Sequence, residues 1–226
     1  FVIDDGLASY FTGKDYLMRS IFFPNKNIFF NSLLKIFFKY NYLTQTQIKL
    51  FSVYSEFFKG DIFIQNNFTY VKKKLNNSNQ IFDQKMAYYS GTKLSERGAM
   101  SLNDEMKILK ASLRYIRSLG KDCTYFAKRS SSLRKLDLIE KIGYKICIPE
   151  YPFEIFLMKS NSLPSIICGF GSSIFNILPK LYPEIKYLIL QYPNKVFKNV
   201  NTIKEYNDIV SFYKNHPIDV KKISIK

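Results

Sequence analysis

From about Lys85 onward, apolar residues follow two alternating patterns along the chain. Short runs of consecutive apolar residues, typical of strands buried on both faces, separate segments in which apolar residues recur every three or four positions, as in amphipathic helices. The alternation needs helices on both faces of a parallel sheet, and it therefore predicts an α/β fold with a doubly wound, Rossmann-like domain. The predicted strands are 85–89, 123–127, 144–148, 165–168 and 185–191.

Residues typical of helix ends bound the five predicted helices. Ser101 precedes the first helix with Asp104 at the capping-box position, and Gly120 ends that helix. The second predicted helix is 133–142, which Gly143 ends, and Pro152 opens the third. The fourth is 172–178, which Pro179 ends, and the fifth is 202–215, with Thr202 as its N-cap residue.

The first third of the chain has weaker periodicity and is rich in Phe, Tyr, Asn and Lys. Residues 27–42 fit an amphipathic helix, which either packs on a core or lies on an anionic membrane surface. The polar segment 76–79 predicts a loop and a domain boundary, dividing the chain into 1–84 and 85–226. Because the chain starts inside a strand-like run at Phe1, we expect 1–84 to lack an N-terminal portion.

Charge and composition limit the function classes. The formal net charge is +16, with 34 Lys and Arg against 18 Asp and Glu, which favours anionic partners. Lys is spread along the chain rather than concentrated, so no nucleic-acid partner is predicted. The three cysteines have no metal-ligand spacing, which predicts free thiols and no metal site.

Ligands of doubly wound sheets bind beyond the carboxyl ends of the strands, so the residues there are the candidate site. Glycines at these positions let backbone approach a ligand, and cations and hydroxyls near helix starts suit a phosphate. The patterns GxGxxG and GxxxxGK[ST] are absent, and the single histidine does not indicate a Ser-His-Asp hydrolase. The candidates are Gly91, Glu96, Lys128, Arg129, Glu154, Gly171, Ser172 and Ser173.

Four segments in order along the chain resemble bacterial sialyltransferases of glycosyltransferase family 52 and the related bacterial polysialyltransferases. Residues 3–10 resemble an acidic-acidic-glycine motif, and 91–96 resemble the segment that opens the C-terminal domain. Residues 125–130 stand where the family carries a histidine motif, and 152–154 with 169–173 resemble its paired-serine segment.

The resemblance implies a GT-B glycosyltransferase with its active site between two Rossmann-like domains. Residues 1–84 would be the C-terminal part of the acceptor-side domain, and 85–226 the donor domain. The implied reaction transfers sialic acid from CMP-sialic acid to a terminal sugar of a bacterial lipooligosaccharide or capsule, without a metal or other cofactor. A cytoplasmic enzyme is expected on this interpretation. The positive charge and residues 27–42 add peripheral contact with an anionic inner membrane as a further expectation.

Sialyl transfer needs a carboxylate that deprotonates the acceptor hydroxyl and a group that stabilises the departing phosphate. Asp4, Asp5 and Glu96 are the predicted catalytic carboxylates. The phosphate would be held by Lys128 and Arg129 together with Ser172 and Ser173.

Two questions stay open at this point. Glu154 either accepts hydrogen bonds from cytidine or ribose, or serves as a carboxylate in the first turn of a helix. Lys128 and Arg129 replace the family's histidine. Either leaving-group protonation is not needed, or activity is impaired, or the donor is another nucleotide sugar.

Overall fold

The computed structural model describes residues 2–3, 50–52, 63–76, 79–128, 130–214, 216 and 218–225. By its contacts the chain divides into two units, Phe1–Phe68 and Thr69–Lys226. Asp4, Asp5, Arg129 and the predicted helix 27–42 lie outside the described residues, and so does part of the predicted boundary loop 76–79.

The described part of the first unit contains three short parallel strands. They are β1 (Val2–Ile3), β2 (Leu50–Ser52) and β3 (Phe63–Gln65), and β2 pairs with both of the others.

The second unit contains a six-stranded, all-parallel sheet in the order β6-β5-β4-β7-β8-β9. This confirms the predicted α/β fold with a parallel sheet. Its elements are α1 (Thr69–Asn76), β4 (Ile81–Ser90), α2 (Leu102–Ser118), β5 (Asp122–Phe126), α3 (Leu133–Ile142), β6 (Lys145–Cys147), α4 (Phe153–Lys159), β7 (Ser162–Gly169), α5 (Ile174–Leu181), β8 (Lys186–Gln191), a 3₁₀ turn (Asn194–Val196), α6 (Val200–Lys214) and β9 (Asp219–Lys222).

The strand order sets where the sheet can bind a ligand. The chain enters at the central strand β4, winds outward to β6, returns to β7 beside β4, and winds outward again to β9. Such an order leaves a crevice at the carboxyl ends of the two strands where the direction of winding reverses. In this protein those strands are β4 and β7.

Alternate residues of β4 pack on opposite faces of the sheet, as strand geometry requires. Ala87 and Tyr89 belong to a buried cluster that includes Ile108, Leu109 and other residues of α2 and α3. Between them, Tyr88 packs in a cluster of aromatic rings with Phe126 of β5 and Phe153 and Phe156 of α4. Helices therefore cover both faces of the sheet.

Helices α5 and α6 have other bounds than the sequence predicts. Helix α5 continues past Pro179 to Leu181, because its buried apolar face extends that far and Tyr182 N–H still donates to Leu178 O across 2.7 Å. Helix α6 begins before Thr202, whose N–H donates to Asn199 Oδ1 across 2.8 Å.

Strand β9 was not predicted. It is an edge strand that pairs with β8 alone, and Asp219, Lys221 and Lys222 are exposed. An edge strand with charged side chains has no apolar run to indicate it. No helix in the described ranges has the length and apolar character needed to cross a membrane.

Candidate functional site

A cavity of about 590 Å³ opens where β4, β5 and β7 end. Ser90 is the last residue of β4, Phe126 is the last of β5, and residues 171–173 follow β7; all of them line the cavity. The cavity therefore lies at the crevice that the strand order predicts, and its volume is typical of a small-molecule site.

Five of the sequence-predicted site residues line this one cavity: Lys128, Glu154, Gly171, Ser172 and Ser173. Two strand-to-helix connections and the first turn of α4 supply them, and the chain between the first and the last of these residues is about 45 residues long. Lys128 and the Ser172–Ser173 pair thus lie on one cavity, as the parallel sheet requires of residues at the ends of its strands.

Two predicted residues are not on the cavity wall. Gly91 is buried, and its N–H donates to Phe126 O across 2.9 Å. A Cβ atom on Gly91 would lie 2.5 Å from Phe126 O, so the glycine is needed for backbone packing between two strand ends. Glu96 forms an ion pair away from the wall, with 2.9 Å between its Oε2 and Lys135 Nζ.

Lys93 and Arg97 also line the cavity, and neither is among the residues predicted from the sequence. They follow β4 in a compact turn in which Arg97 N–H donates to Lys93 O across 3.0 Å. The signal for them was available, since both are cations in the strand-end segment that already held Gly91 and Glu96. Together with Lys128 they place three cations on the described cavity wall, which carries one carboxylate, that of Glu154.

Desolvation in the crevice lowers the pKa of the Lys128 ammonium, although part of its surface remains exposed. The Glu154 carboxylate opposes this shift, whereas the Arg97 guanidinium adds to it. Lost hydration and the like charge of Arg97 therefore disfavour the charged form of Lys128, and an anionic ligand would stabilise that form through its opposite charge.

The segment after β7 presents hydroxyls at the start of α5. Gly171 has φ +126°, a conformation that side chains rarely adopt, and it directs the chain into the helix. Ser172 O is held by Phe175 N–H at 3.0 Å and by Tyr213 Oη at 2.9 Å. Ser173 is the N-cap residue but makes no side-chain capping bond, so its hydroxyl can serve a ligand.

The wall also carries apolar and aromatic residues. Phe126 and Phe153 pack edge to face with ring centroids 4.3 Å apart, and Tyr151 at the rim is 41% exposed. The ammonium of Lys159 lies 3.6 Å from the centroid of the Tyr151 ring. Aromatic rings on a cavity wall suit a flat, weakly polar group such as a nucleobase.

Glu96 is poorly suited to accept a proton in this structure. Its partial burial raises the pKa of its carboxyl, but hydrogen bonds and charge from Lys135 outweigh that effect and lower it. A carboxylate stabilised in its charged form is a weaker base. The catalytic roles of Glu96, Asp4 and Asp5 remain predictions.

Among the residues that the structure describes, no three His, Cys, Asp or Glu side chains are grouped so that they could hold a metal ion. The described cysteines Cys123, Cys147 and Cys168 are all free, as predicted.

A doubly wound α/β domain with a cationic crevice at its switch point is the class of protein that this fold and site define. No protein-family model matches the chain, and no curated protein sequence matches it.

Among solved structures, the chain is similar to an alpha/beta-galactoside alpha-2,3-sialyltransferase from the luminous marine bacterium Photobacterium phosphoreum, with 16% identity and a TM-score of 0.39. The match covers 91% of this chain and 52% of that one, so this chain spans about half the length of the sialyltransferase. Because this structural similarity is weak, it carries no argument about the function, and the cavity itself is the observation to use.

Proposed function

We propose that the chain is part of a glycosyltransferase and that it binds the nucleotide-sugar donor in the cavity beyond β4, β5 and β7. The observation that carries this proposal is the convergence of Lys93, Arg97 and Lys128 with the Ser172–Ser173 pair on one cavity wall. Segments distant in sequence thereby supply cations, hydroxyls and a helix start, the combination that binds a phosphate group.

The shape and chemistry of the wall favour a nucleotide over a simple anion. The wall carries cations and serines, and it also carries the aromatic residues Phe126, Tyr151 and Phe153. A nucleotide offers both a charged phosphate and an aromatic base, and the volume of about 590 Å³ is ample for one. Glu154 would accept hydrogen bonds from ribose or base donors.

For the donor we propose CMP-sialic acid, on the sequence resemblance to bacterial sialyltransferases and within a GT-B architecture. The acceptor would be a terminal sugar of a bacterial surface glycan. Its hydroxyl oxygen bonds to the anomeric carbon of the sialic acid as the bond from that carbon to the CMP phosphate oxygen breaks. The hydroxyl proton passes to a carboxylate, for which Asp4, Asp5 and Glu96 are the candidates.

Lys128 would stabilise the charge that develops on the departing phosphate oxygen, helped by Arg97 and the serine hydroxyls. Its lowered pKa also bears on the missing histidine. A lysine with a lowered pKa transfers its proton more readily than an ordinary lysine, so Lys128 is a candidate to protonate the leaving phosphate.

The test combines binding and turnover in the full-length protein. We expect calorimetry to show CMP binding more tightly than UMP or GMP, and CMP-sialic acid to be consumed in preference to UDP- and GDP-sugars. Lys128→Gln should weaken CMP binding, whereas Lys145→Gln, which removes an exposed cation at the start of β6, should not. Preferential consumption of a UDP- or GDP-sugar would contradict the choice of donor. CMP affinity equal in the two variants would contradict the site.

A second candidate is a nucleotide-binding protein without transferase activity. The pairing of Glu96 with Lys135 favours it, because that carboxylate is stabilised in its charged form. CMP binding with neither transfer nor hydrolysis of any donor in the panel would support this candidate over the enzyme.

A further inference from the structure

Lys135 is a buried cation that the proposed reaction does not use. It lies in the first turn of α3, and its side chain has no solvent exposure. Its ammonium donates three hydrogen bonds, to Glu105 Oε1 at 2.6 Å, Thr92 O at 2.6 Å and Glu96 Oε2 at 2.9 Å. Lysine is seldom fully buried, and three short bonds satisfy all of its donors here.

Glu105 of α2 completes the network from the other side. Its side chain is 2% exposed, and its second oxygen, Oε2, accepts from Ser95 N–H across 3.0 Å. Glu105 thus holds the segment after β4 directly through Ser95. Glu105 also holds this segment indirectly, because its ion-pair partner Lys135 donates to Thr92 O and Glu96 Oε2.

The anchored residues and two of the wall cations lie within one short segment, residues 92–97. Thr92, Ser95 and Glu96 are bound to Lys135 or Glu105, whereas Lys93 and Arg97 line the cavity together with Thr92. The network therefore holds the short segment from which two of the three described wall cations project.

We propose that Lys135 is a positioning residue, a proposal that rests on the proposed function. With Glu105 it holds residues 92–97 in place, so that Lys93 and Arg97 face the cavity before the nucleotide arrives. Lys135 does not line the cavity itself, and it acts through the backbone carbonyl of Thr92 and the side chain of Glu96.

A role in stability alone does not account for this network. Burying a charged pair costs hydration energy, and well-packed apolar residues of the same volume often replace such a pair without loss of stability. Apolar residues could not, however, bind Thr92 O or Ser95 N–H. Fixing cations in their binding geometry lowers the entropy that a ligand must later remove, which increases affinity.

The experiment uses the double variant Lys135→Met/Glu105→Met in the full-length protein. Both charges are removed together, since Lys135→Met alone would leave the Glu105 carboxylate buried without its partner. Thermal unfolding reports stability, amide hydrogen exchange at Ser95, Arg97 and Gly98 reports the order of the segment, and calorimetry reports the dissociation constant for CMP.

We expect the double variant to unfold near the wild-type temperature, with faster exchange at these amides and CMP affinity about tenfold weaker. Wild-type protection of the Ser95 and Arg97 amides in a folded double variant would overturn the proposal. So would faster exchange together with wild-type CMP affinity.

Glu96→Gln is the second variant, and it keeps the proposal testable if the double variant does not fold. The Glu96 side chain is 23% exposed, so its amide replacement is tolerable. A residue that acted only as the catalytic base would leave CMP affinity unchanged in this variant, whereas the anchoring role predicts a several-fold loss and faster Arg97 exchange. Unchanged CMP affinity and exchange would overturn the proposal.

Lys141→Met, an exposed lysine of the same helix, is the control and should match the wild type in every readout. The failure of the proposed function would be distinct. If the wild-type protein does not bind CMP, the proposed nucleotide site is wrong. Amide exchange in the same variants still decides whether Lys135 and Glu105 anchor residues 92–97.

Discussion

The hydroxyl oxygens of Tyr89 and Tyr192 lie 2.9 Å apart, in a hydrogen bond that joins the ends of β4 and β8. Tyr192 Oη also lies 3.0 Å from Ser112 Oγ of α2, and both tyrosines are almost wholly buried. Burial raises the pKa of both phenols, so each remains a neutral hydrogen-bonding group near neutral pH. The carboxyl edge of the sheet, where the cavity opens, is thus tied to helix α2.

Tyr192→Phe should lower the free energy of unfolding by about 1–3 kcal/mol, because it leaves the buried hydroxyls of Tyr89 and Ser112 short of one partner. Urea unfolding followed by circular dichroism measures the change. Tyr70→Phe is the control, since Tyr70 is 71% exposed and should change stability by less than about 0.5 kcal/mol. Equal effects in the two variants would mean that the buried bond contributes nothing.

The two helix-start serines Ser101 and Ser173 should respond in opposite ways to replacement by alanine. Ser101 Oγ accepts from Asp104 N–H at 3.0 Å, so Ser101→Ala should cost about 1 kcal/mol of stability and leave CMP binding unchanged.

Ser173 makes no capping bond, so Ser172→Ala/Ser173→Ala should nearly keep wild-type stability and weaken CMP binding by about 1–3 kcal/mol. Thermal unfolding and calorimetry on both variants check this contrast. Loss of stability without loss of CMP affinity in the double-serine variant would refute the ligand role of these hydroxyls.

Gly171→Ala should disturb both the fold and the cavity. The backbone there has φ +126°, and an added Cβ would lie 2.7 Å from Ile209 Cγ2. We expect the free energy of unfolding to fall by about 1–3 kcal/mol and CMP affinity to fall as well, because the segment carrying Ser172 must shift.

Gly120→Ala is the matched control for that strain. Gly120 also has positive φ, +72°, but its added Cβ would meet no atom within 4 Å. It should cost about 1 kcal/mol of stability and leave CMP affinity unchanged. If Gly171→Ala behaves no differently from this control, the close approach at Ile209 has no consequence.

The lowered pKa of Lys128 predicts an alkaline loss of CMP affinity. The protonated ammonium binds phosphate, and it loses its proton at a lower pH than an ordinary lysine does. Affinity should therefore fall as pH rises through the range below about 10.4, the pKa of an unperturbed lysine.

Calorimetric titrations with CMP across this range measure the loss. Lys128→Arg provides the control, because its guanidinium stays charged throughout and should flatten the profile. A profile equally steep in the wild type and in Lys128→Arg would show that another group causes it.

Much of the fold was predictable because its signals are local. Helix α3 occupies the predicted residues, Leu133–Ile142, and Gly143 ends it with φ +105°. Ser101 accepts the predicted bond from Asp104 N–H at the start of α2. Each of these features depends on residues within one or two turns of each other, so the amino-acid order alone carries them.

The elements that were missed depend on distant partners. Strand β9 is held to the sheet by β8, and its own residues are mostly charged and exposed. Helix α5 passes Pro179 because Leu178 and Leu181 are buried by the surrounding protein, a gain that outweighs one missing hydrogen bond. Neither partner is visible in the local pattern.

For the candidate site, the sequence by itself determined which segments follow the strands, and hence that Lys128, Glu154 and residues 171–173 belong at one edge. Parallel strands impose that result whatever the side chains are. Only the tertiary structure decided which groups on those segments face the cavity. It placed Lys93 and Arg97 on the wall, buried Gly91, and paired Glu96 with Lys135. The physical reason is that the direction of a side chain in a turn depends on which distant charges and backbone groups it can satisfy.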